Sequence, residues 1–314
     1  MSHTTPSNTH SRSSRSRGLR LCVALLALVV ALGAGTLGAL WIRMDHPQLA
    51  LPAAPDGVRT WLIVGLDDRD QLPEGDDVFG GQDDAVTHAD VIFLLRLDPA
   101  GPTLLSLPRG LTVLDGDRPM DLSRSYTRGP QQMVDLMCRA LQVPVTDMAT
   151  INMRGFVELV DAVGGVEVTL PNDLRDTHSH VELPAGTHTV DGDTALALVR
   201  SRQGQVRIDG QWVDDPEASL GRARRAEEVL TALTEELSQA SWWTLGGAAW
   251  KVTPEVSISE GSNPLPLISA MGGLPDPVRV TGEQAIDPDK FLADDTTAQA
   301  LQAAGFTSCA EADE

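Results

Sequence analysis

Near the N-terminus, the 22 residues from Leu21 to Ile42 carry no charged side chain. As a helix rising about 1.5 Å per residue, this run would be roughly 33 Å long, which is enough to cross a hydrocarbon core of about 30 Å. Four arginines precede it and Arg43 alone follows directly, so the positive-inside rule places the N-terminus in the cytoplasm. We therefore predict a cytoplasmic tail at 1–20, a transmembrane signal anchor at 21–42 and a single-pass protein of the cell membrane with its bulk outside. A cleaved Ala- and Gly-rich signal peptide is the alternative interpretation.

The charge balance narrows the classes of partner. The chain holds 24 basic and 44 acidic side chains, a net charge of −20, and residues 1–43 contain arginines but no acid. The predicted outer part is therefore strongly acidic. A nucleic-acid-binding protein normally presents a basic surface to the phosphates, so we expect no nucleic-acid partner. Any anionic ligand must be met by a local cluster of arginines.

Short apolar runs and helical patterns are mixed along the outer part. Nearly continuous apolar runs, typical of strands buried on both faces, occupy three segments: Thr60–Leu66, Asp90–Leu97 and Thr103–Leu107. Periodicity and breaker residues predict helices at Pro130–Gln142, Arg154–Val163, Gly221–Leu237 and Asp295–Ala304, and a strand at Val166–Leu170. This mixture predicts an α/β fold, a single α-β-α sandwich with a central mixed sheet, preceded by one transmembrane helix.

Composition sets the predicted boundaries within the outer part. Residues 43–57 form a short linker rich in Pro and Ala, and residues 58–238 form the main domain. Residues 239–314 begin with a Gly- and Pro-rich stretch and form a C-terminal extension. We expect this extension to pack on the same domain.

The three cysteines fall in different compartments. Cys22 lies within the predicted span, whereas Cys138 and Cys309 lie outside, where disulfides can form. Pairing of Cys138 with Cys309 is a hypothesis that rests on this arithmetic alone.

Acids and arginines are concentrated at the ends of the predicted strands, where α/β sheets place ligand sites. The clusters are G-L-D-D-R at Gly65–Arg69, Asp90, S-L-P-R-G at Ser106–Gly110, and R-S-R at Arg200–Arg202 followed by G-R-A-R-R at Gly221–Arg225. Carboxylates without His or Cys favour a hard cation such as Mg²⁺, and converging arginines favour phosphate. Phosphoryl transfer needs both, because it depends on positioning and charge neutralisation. Each cluster on its own is more often a cap or a solvated surface group.

Two of these arginines begin the apolar stripe of the helix predicted at Gly221–Leu237. Arg222 lies four residues before Ala226 and Arg225 lies four before Val229, so both start on the buried side. A buried guanidinium needs an anionic partner, which is either a carboxylate or a ligand.

In their order along the chain and in their residues, these clusters resemble the LytR–CpsA–Psr family of cell-wall glycopolymer ligases. The resemblance runs from about Trp61 to Leu237 and includes V-G-L-D-D-R, L-L-S-L-P-R and G-R-A-R-R. Its most specific elements are G-G-V-E-V, ending at Val168, and D-G-x-x-A-L-x-x-x-R-x-R, ending at Arg202.

The resemblance implies a phosphotransferase on the outer face of the membrane. Members of the family hold a polyprenyl-pyrophosphate-linked glycopolymer, with the lipid in an apolar tunnel, and pass the glycosyl phosphate to a hydroxyl of peptidoglycan. The implied partners are this lipid-linked glycopolymer, peptidoglycan and the membrane, and the implied cofactor is Mg²⁺. Asp67 and Asp90 match the metal-binding acids, and Arg109 and Asp90 are assigned to catalysis. The residues assigned to pyrophosphate are Arg69, Arg109, Arg200, Arg202, Arg222 and Arg225.

Five positions depart from the family's pattern at the expected pyrophosphate pocket. His88 stands where the family usually has Arg, Gly110 where it has Asp, Asp121 where it has Lys, Ser219 where it has Asp, and Ala226 where it has Gln. Losing several charged hydrogen bonds, at about 2–3 kcal/mol each, lowers turnover by orders of magnitude. The alternative function is therefore a catalytically degenerate polyprenyl-pyrophosphate-binding, regulatory or scaffold protein of the cell envelope.

Overall fold

The computed structural model divides the chain into two units, residues 1–43 and residues 44–314. The residues it describes are 35–54, 57–68, 86–201, 204–215, 218–271, 273–275, 277–285, 290–306 and 309, without the side chains of 218–223, 227, 271 and 284. Two predicted site residues, Arg69 and Arg202, lie outside the described residues, as does the side chain of Arg222.

The first unit is described at its C-terminal end, where residues 35–43 are helical. Among the residues that the structure describes, no helix is long and apolar enough to cross a membrane. Most of the segment predicted to be the anchor, 21–42, lies outside them, so membrane anchoring stays a prediction.

The second unit combines short strands with helices. Its strands are β1 (Arg59–Asp67), β2 (His88–Asp98), β3 (Gly101–Leu107), β4 (Leu111–Asp115), β5 (Arg118–Asp121), β6 (Asp147–Asn152), β7 (Val166–Leu170), β8 (Leu174–Asp176), β9 (Val181–Leu183), β10 (Gly186–Val190), β11 (Gln205–Ile208), β12 (Gln211–Asp214), β13 (Val256–Ile258), β14 (Val278–Arg279), β15 (Glu283–Gln284) and β16 (Phe291–Leu292). Its helices are α1 (Leu122–Ser125), α2 (Pro130–Leu141), α3 (Met153–Val163), α4 (Gly192–Arg200), α5 (Ala218–Gln239), α6 (Trp242–Val252), α7 (Leu265–Met271) and α8 (Asp295–Ala303).

The central sheet has the strand order β13-β6-β1-β2-β3-β14. Strand β1 is antiparallel to β2 and parallel to β6, so the sheet is mixed. The four predicted strands are β1, β2, β3 and β7, and the four predicted helices are α2, α3, α5 and α8, with ends that differ by three residues or fewer. The mixed α/β fold with a central mixed sheet is therefore confirmed.

Both faces of the central sheet are buried, which explains why its strands are apolar without alternation. On one face, Leu62 and Val64 of β1 pack in a cluster with Met133, Leu136 and Met137 of α2. On the other face, Trp61 packs with Leu95, Ile258 and the partly buried Leu267 of α7. Consecutive residues of β1 therefore belong to different apolar clusters.

A third apolar cluster joins α3, α4 and α5 to the antiparallel pair of strands β7 and β10. Val229 and Leu233 of α5 are buried there, as the predicted stripe requires. The two most specific motifs contribute glycines that this packing demands. At Gly165, φ is +98° and a Cβ would lie 2.7 Å from the carbonyl oxygen of Val190. At Gly192, a Cβ would collide with the carbonyl oxygen of Val157.

The C-terminal extension supplies both edge strands of the central sheet. Strand β13 pairs with β6, and β14 pairs in parallel with β3. Strand β16 pairs in parallel with β4, and Leu301 and Phe306 are buried in the same cluster as the residues of α2. A disulfide joins Cys138 of α2 to Cys309, across a sequence separation of 171 residues. The extension is thereby held against the main domain at several points.

Candidate functional site

A cavity of about 1300 Å³ lies beside the ends of β2 and β3. Pockets for small ligands usually measure about 300–1,000 Å³, so this cavity has room for a larger molecule. Its apolar lining includes Ile92, Phe93, Met120, Leu230 and Phe291. Among the described residues, its ionisable lining consists of His88, Asp90, Arg109, Asp121, Arg124, Arg128, Arg279 and Lys290. The cavity therefore combines apolar lining residues with a concentration of cationic groups.

Arg109 and Asp90 form an ion pair in the cavity wall. Nη1 of Arg109 lies 2.8 Å from Oδ1 and 2.9 Å from Oδ2 of Asp90, and the side chains are 26% and 15% exposed. The contact is possible because β2 and β3 are neighbours, with Ile92 paired to Leu107 two residues before Arg109. Asp90 holds the guanidinium through Nη1. The three N–H groups on Nε and Nη2 can then donate hydrogen bonds to an anion.

A β-bulge orients Asp90. In the β1–β2 ladder Gly65 pairs with Val91 and Leu66 pairs with Ala89, so Asp90 is the extra residue. The bulge shifts the alternation of β2, and Ala89 rather than Asp90 enters the core with Ile92. At Gly65 a Cβ would lie 3.1 Å from Cβ of Val91, so a larger residue would require Val91 to shift by a few tenths of an ångström.

Asp67 ends β1 and pairs across the ladder with His88, two residues from Asp90. His88 lines the cavity, whereas Asp67 is buried beside it. Within the described part of the chain, no group of three or more His, Cys, Asp and Glu side chains could hold a metal ion. Mg²⁺ commonly takes one or two carboxylates and completes its shell with substrate oxygens and water, so the residue types of Asp67 and Asp90 suit this ion.

Arg225 has a partner inside the protein. Its Nη1 lies 3.1 Å from Oδ2 of Asp215, its Nη2 donates to the carbonyl oxygen of Ser201 at 3.0 Å, and the residue is 6% exposed. The sequence left two possible anionic partners for this buried guanidinium, a carboxylate or a ligand. The structure provides a carboxylate. On this geometry we assign Arg225 to the scaffold rather than to pyrophosphate.

The other predicted arginines are placed less directly. Arg200 ends α4, and of the described residues its neighbour Val199 lines the cavity while Arg200 does not. Arg222 lies in α5, one turn before Ala226, which lines the cavity. Residues four apart share a helix face, so the position of Arg222 is on the cavity side of α5. The roles of these two arginines stay predictions.

Sequence reasoning missed the cations that surround Asp121. Nζ of Lys290 donates to Oδ2 of Asp121 at 3.0 Å, and Oγ1 of Thr112 donates to Oδ1 at 2.8 Å. Burial raises the pKa of Asp121, but these hydrogen bonds and the charges of Lys290 and Arg124 lower it, and the pKa lies below its ordinary value. Arg124 and Arg128 are one turn apart and could have been noticed, but nothing local connects Lys290 to a residue 169 positions away.

A large cavity that is lined by apolar side chains and by a fixed guanidinium can accommodate an anion with an apolar part. The LytR_cpsA_psr family model matches residues 44–264. The chain therefore belongs to the LytR_cpsA_psr family.

Two relatives and one solved structure show the range of the similarity. The chain is 31% identical over 194 residues to the probable cell wall biosynthesis protein LcpB of Corynebacterium glutamicum, covering 58% of this chain and 47% of that protein. It is 28% identical over 166 residues to the polyisoprenyl-teichoic acid–peptidoglycan teichoic acid transferase TagV of Bacillus subtilis, covering 49% and 40%. A LytR-Csp2A-Psr enzyme from Actinomyces oris superposes with a TM-score of 0.72 at 27% identity, covering 84% of this chain and 97% of that structure. The matches span about half the length of the curated relatives.

Proposed function

We propose that this protein is a membrane-anchored, extracytoplasmic transferase that moves a glycopolymer phosphate from a polyprenyl-pyrophosphate carrier to peptidoglycan. The relative LcpB is named a probable cell wall biosynthesis protein, which supports a role in the cell wall. The TagV relative is named for the transfer of teichoic acid from a polyisoprenyl-linked form to peptidoglycan, which supports the same class of donor and acceptor.

The observation that carries this proposal is the Arg109–Asp90 pair in the wall of a large, mostly apolar cavity. A diphosphate needs fixed guanidinium donors, and a polyprenyl chain needs a long apolar surface. Ile92, Phe93 and Phe291 supply part of that surface in the same cavity as Arg109. A small hydrophilic substrate would use neither the volume nor the apolar walls.

The transfer exchanges one phosphorus–oxygen bond for another. A hydroxyl of peptidoglycan attacks the phosphorus that carries the glycopolymer, and the bond from that phosphorus to the bridging oxygen breaks. Polyprenyl phosphate leaves mostly as a dianion and the hydroxyl proton passes to water, because the second ionisation of a phosphate monoester lies near pH 6. Arg109 binds the phosphate oxygens on which charge concentrates, and Asp90 holds the guanidinium in place.

The proposal includes Mg²⁺, which Asp67 and Asp90 would hold through their carboxylate oxygens. When bound, the ion supplies neutralisation of the diphosphate charge. Asp90 would then serve both the ion and Arg109, whose Nη1 contacts both of its carboxylate oxygens.

The test compares two arginines in the full chain, reconstituted in lipid with a synthetic polyprenyl-diphosphate-linked sugar, peptidoglycan and Mg²⁺. Arg109→Ala is expected to lower the release of polyprenyl phosphate by about 100-fold or more. Arg139→Ala is the matched control, because Arg139 pairs with Asp115 at 3.0 Å outside the cavity. It should leave turnover within about twofold. Equal turnover in wild type and Arg109→Ala contradicts the assigned role.

A binding protein without turnover is the second candidate, and one observation favours it. Four of the five departures from the family's pattern, His88, Gly110, Asp121 and Ala226, line the cavity. The same assay decides between the two, because the second candidate retains lipid binding but releases no polyprenyl phosphate.

A further inference from the structure

Part of the cavity wall comes from beyond the residues that match the family. The match ends at residue 264, whereas Arg279, Val280, Lys290 and Phe291 line the cavity. Backbone hydrogen bonds hold this segment against the strands of the site. The N–H of Val280 donates to the carbonyl oxygen of Ser106 at 2.9 Å. The wall contributed by the extension is therefore part of the folded sheet.

Lys290 is fixed through its backbone and its side chain. The N–H of Phe291 donates at 3.0 Å to the carbonyl oxygen of Gly110, the residue that follows Arg109. Nζ of Lys290 lies 3.0 Å from Oδ2 of Asp121, and the lysine side chain is 45% exposed. The ammonium group is thus held at the cavity surface, near in the fold to Arg109, with its other N–H donors able to face the cavity.

The local charge is opposite to that of the whole chain. The protein carries a net charge of −20. Of the cavity-lining side chains, Arg109, Arg124, Arg128, Arg279 and Lys290 are cationic, against the acids Asp90 and Asp121. Among the described lining residues, five permanent cations against two acids favour the binding of an anion.

We infer that Lys290 is an anion-binding residue of the cavity, donating to a phosphate oxygen of the polyprenyl diphosphate, with Asp121 as the group that positions its ammonium. The identity of this ligand rests on the proposed function, whereas the anion site itself rests on the geometry. The C-terminal extension is then a component of the donor site as well as an edge of the sheet.

The test measures binding of farnesyl diphosphate to the full chain in detergent micelles by calorimetry, without an acceptor. Lys290→Gln is expected to weaken binding by about tenfold or more, because it removes one charged hydrogen bond. Lys251→Gln is the matched control, since Lys251 is the chain's other lysine and lies on α6, 4.0 Å from Glu158 and outside the cavity. It should bind as wild type. Unchanged affinity in Lys290→Gln overturns the inference.

A double variant separates donation to the ligand from neutralisation of Asp121. If Lys290 contacts the phosphate, Asp121→Asn/Lys290→Gln remains about tenfold weaker than wild type. Recovery of wild-type affinity in that variant shows that Lys290 only balances Asp121, and it overturns the inference. Thermal unfolding of each variant checks that the fold is intact.

Inorganic diphosphate distinguishes the failure of this inference from the failure of the proposed function. If wild type binds inorganic diphosphate as tightly as farnesyl diphosphate, the proposed lipid donor is wrong. A lower affinity for inorganic diphosphate in Lys290→Gln still supports the anion site in that case. If wild type binds neither probe, both the anion site and the proposed donor are wrong.

Discussion

Replacing Arg225 by Ala separates a scaffold role from a role in binding pyrophosphate. The side chains of Arg225 and Asp215 are each 7% exposed, and the guanidinium also bonds to the carbonyl oxygen of Ser201. Removing one member of a buried ion pair costs about 3–5 kcal/mol, because the remaining charge keeps its desolvation penalty. For a domain of this size, that loss lowers Tm by roughly 6–20 °C.

The assay combines thermal unfolding of the full chain with farnesyl diphosphate binding below the transition. We expect Arg225→Ala to lower Tm by that amount and to leave the affinity of the folded protein within about twofold of wild type. Arg225→Ala/Asp215→Ala should recover part of the lost stability, because no carboxylate then remains buried without its guanidinium. A wild-type Tm combined with lost diphosphate affinity refutes the scaffold assignment.

Three further predictions concern packing, the disulfide and pH. Gly192→Ala should lower the free energy of unfolding by about 1–3 kcal/mol in a denaturant titration, because its Cβ meets the carbonyl oxygen of Val157, whereas Gly247→Ala faces open space and should not destabilise. Cys138→Ser/Cys309→Ser should cost about 2–5 kcal/mol and weaken diphosphate binding, which calorimetry measures, since the disulfide holds the extension that forms the cavity wall. Because the pKa of Asp121 is lowered in the folded protein, its stabilising contribution is present above its ordinary value of 3.8 and is lost as pH falls through the lowered pKa. The fall in Tm below pH 4 should therefore be smaller in Asp121→Asn than in wild type. An equal fall in the two proteins contradicts the stabilisation of ionised Asp121 by Lys290.

The sequence predicted the parts of the fold that have a strong local signal. Strands β1, β2 and β3 are buried on both faces, so their apolar runs are continuous and easy to recognise. The helix α5 has a stripe of apolar residues that could be read directly from its spacing. The glycines of the two most specific motifs are explained by close backbone contacts, so those glycines report on packing rather than on chemistry.

The edges of the sheet could not be predicted in the same way. Strands β13 and β14 have three and two residues, which is too short for a detectable period. Their pairing with β6 and β3 joins parts of the chain more than 100 residues apart. Only the folded chain brings the extension, and with it Lys290, to the cavity.

The candidate site shows the same division between local and long-range information. The motif around Arg109 located the guanidinium, but the bulge that presents Asp90 to it depends on the register of two strands. The stripe of α5 showed that Arg225 needed an anion, yet the choice of Asp215 depends on how the end of β12 meets the helix. Side-chain type was therefore predictable, and the partner was not.

The most direct measurement follows a labelled phosphate through the reaction. The full chain is incubated with peptidoglycan and a lipid-linked glycopolymer labelled either at the phosphate next to the sugar or at the phosphate next to the polyprenol. We expect the first label to enter peptidoglycan and the second to leave in polyprenyl phosphate. Arg109→Ala should stop both transfers. Retention of both labels in the intact donor with active, folded wild-type protein contradicts the transferase, as does equal labelling of peptidoglycan by wild type and Arg109→Ala.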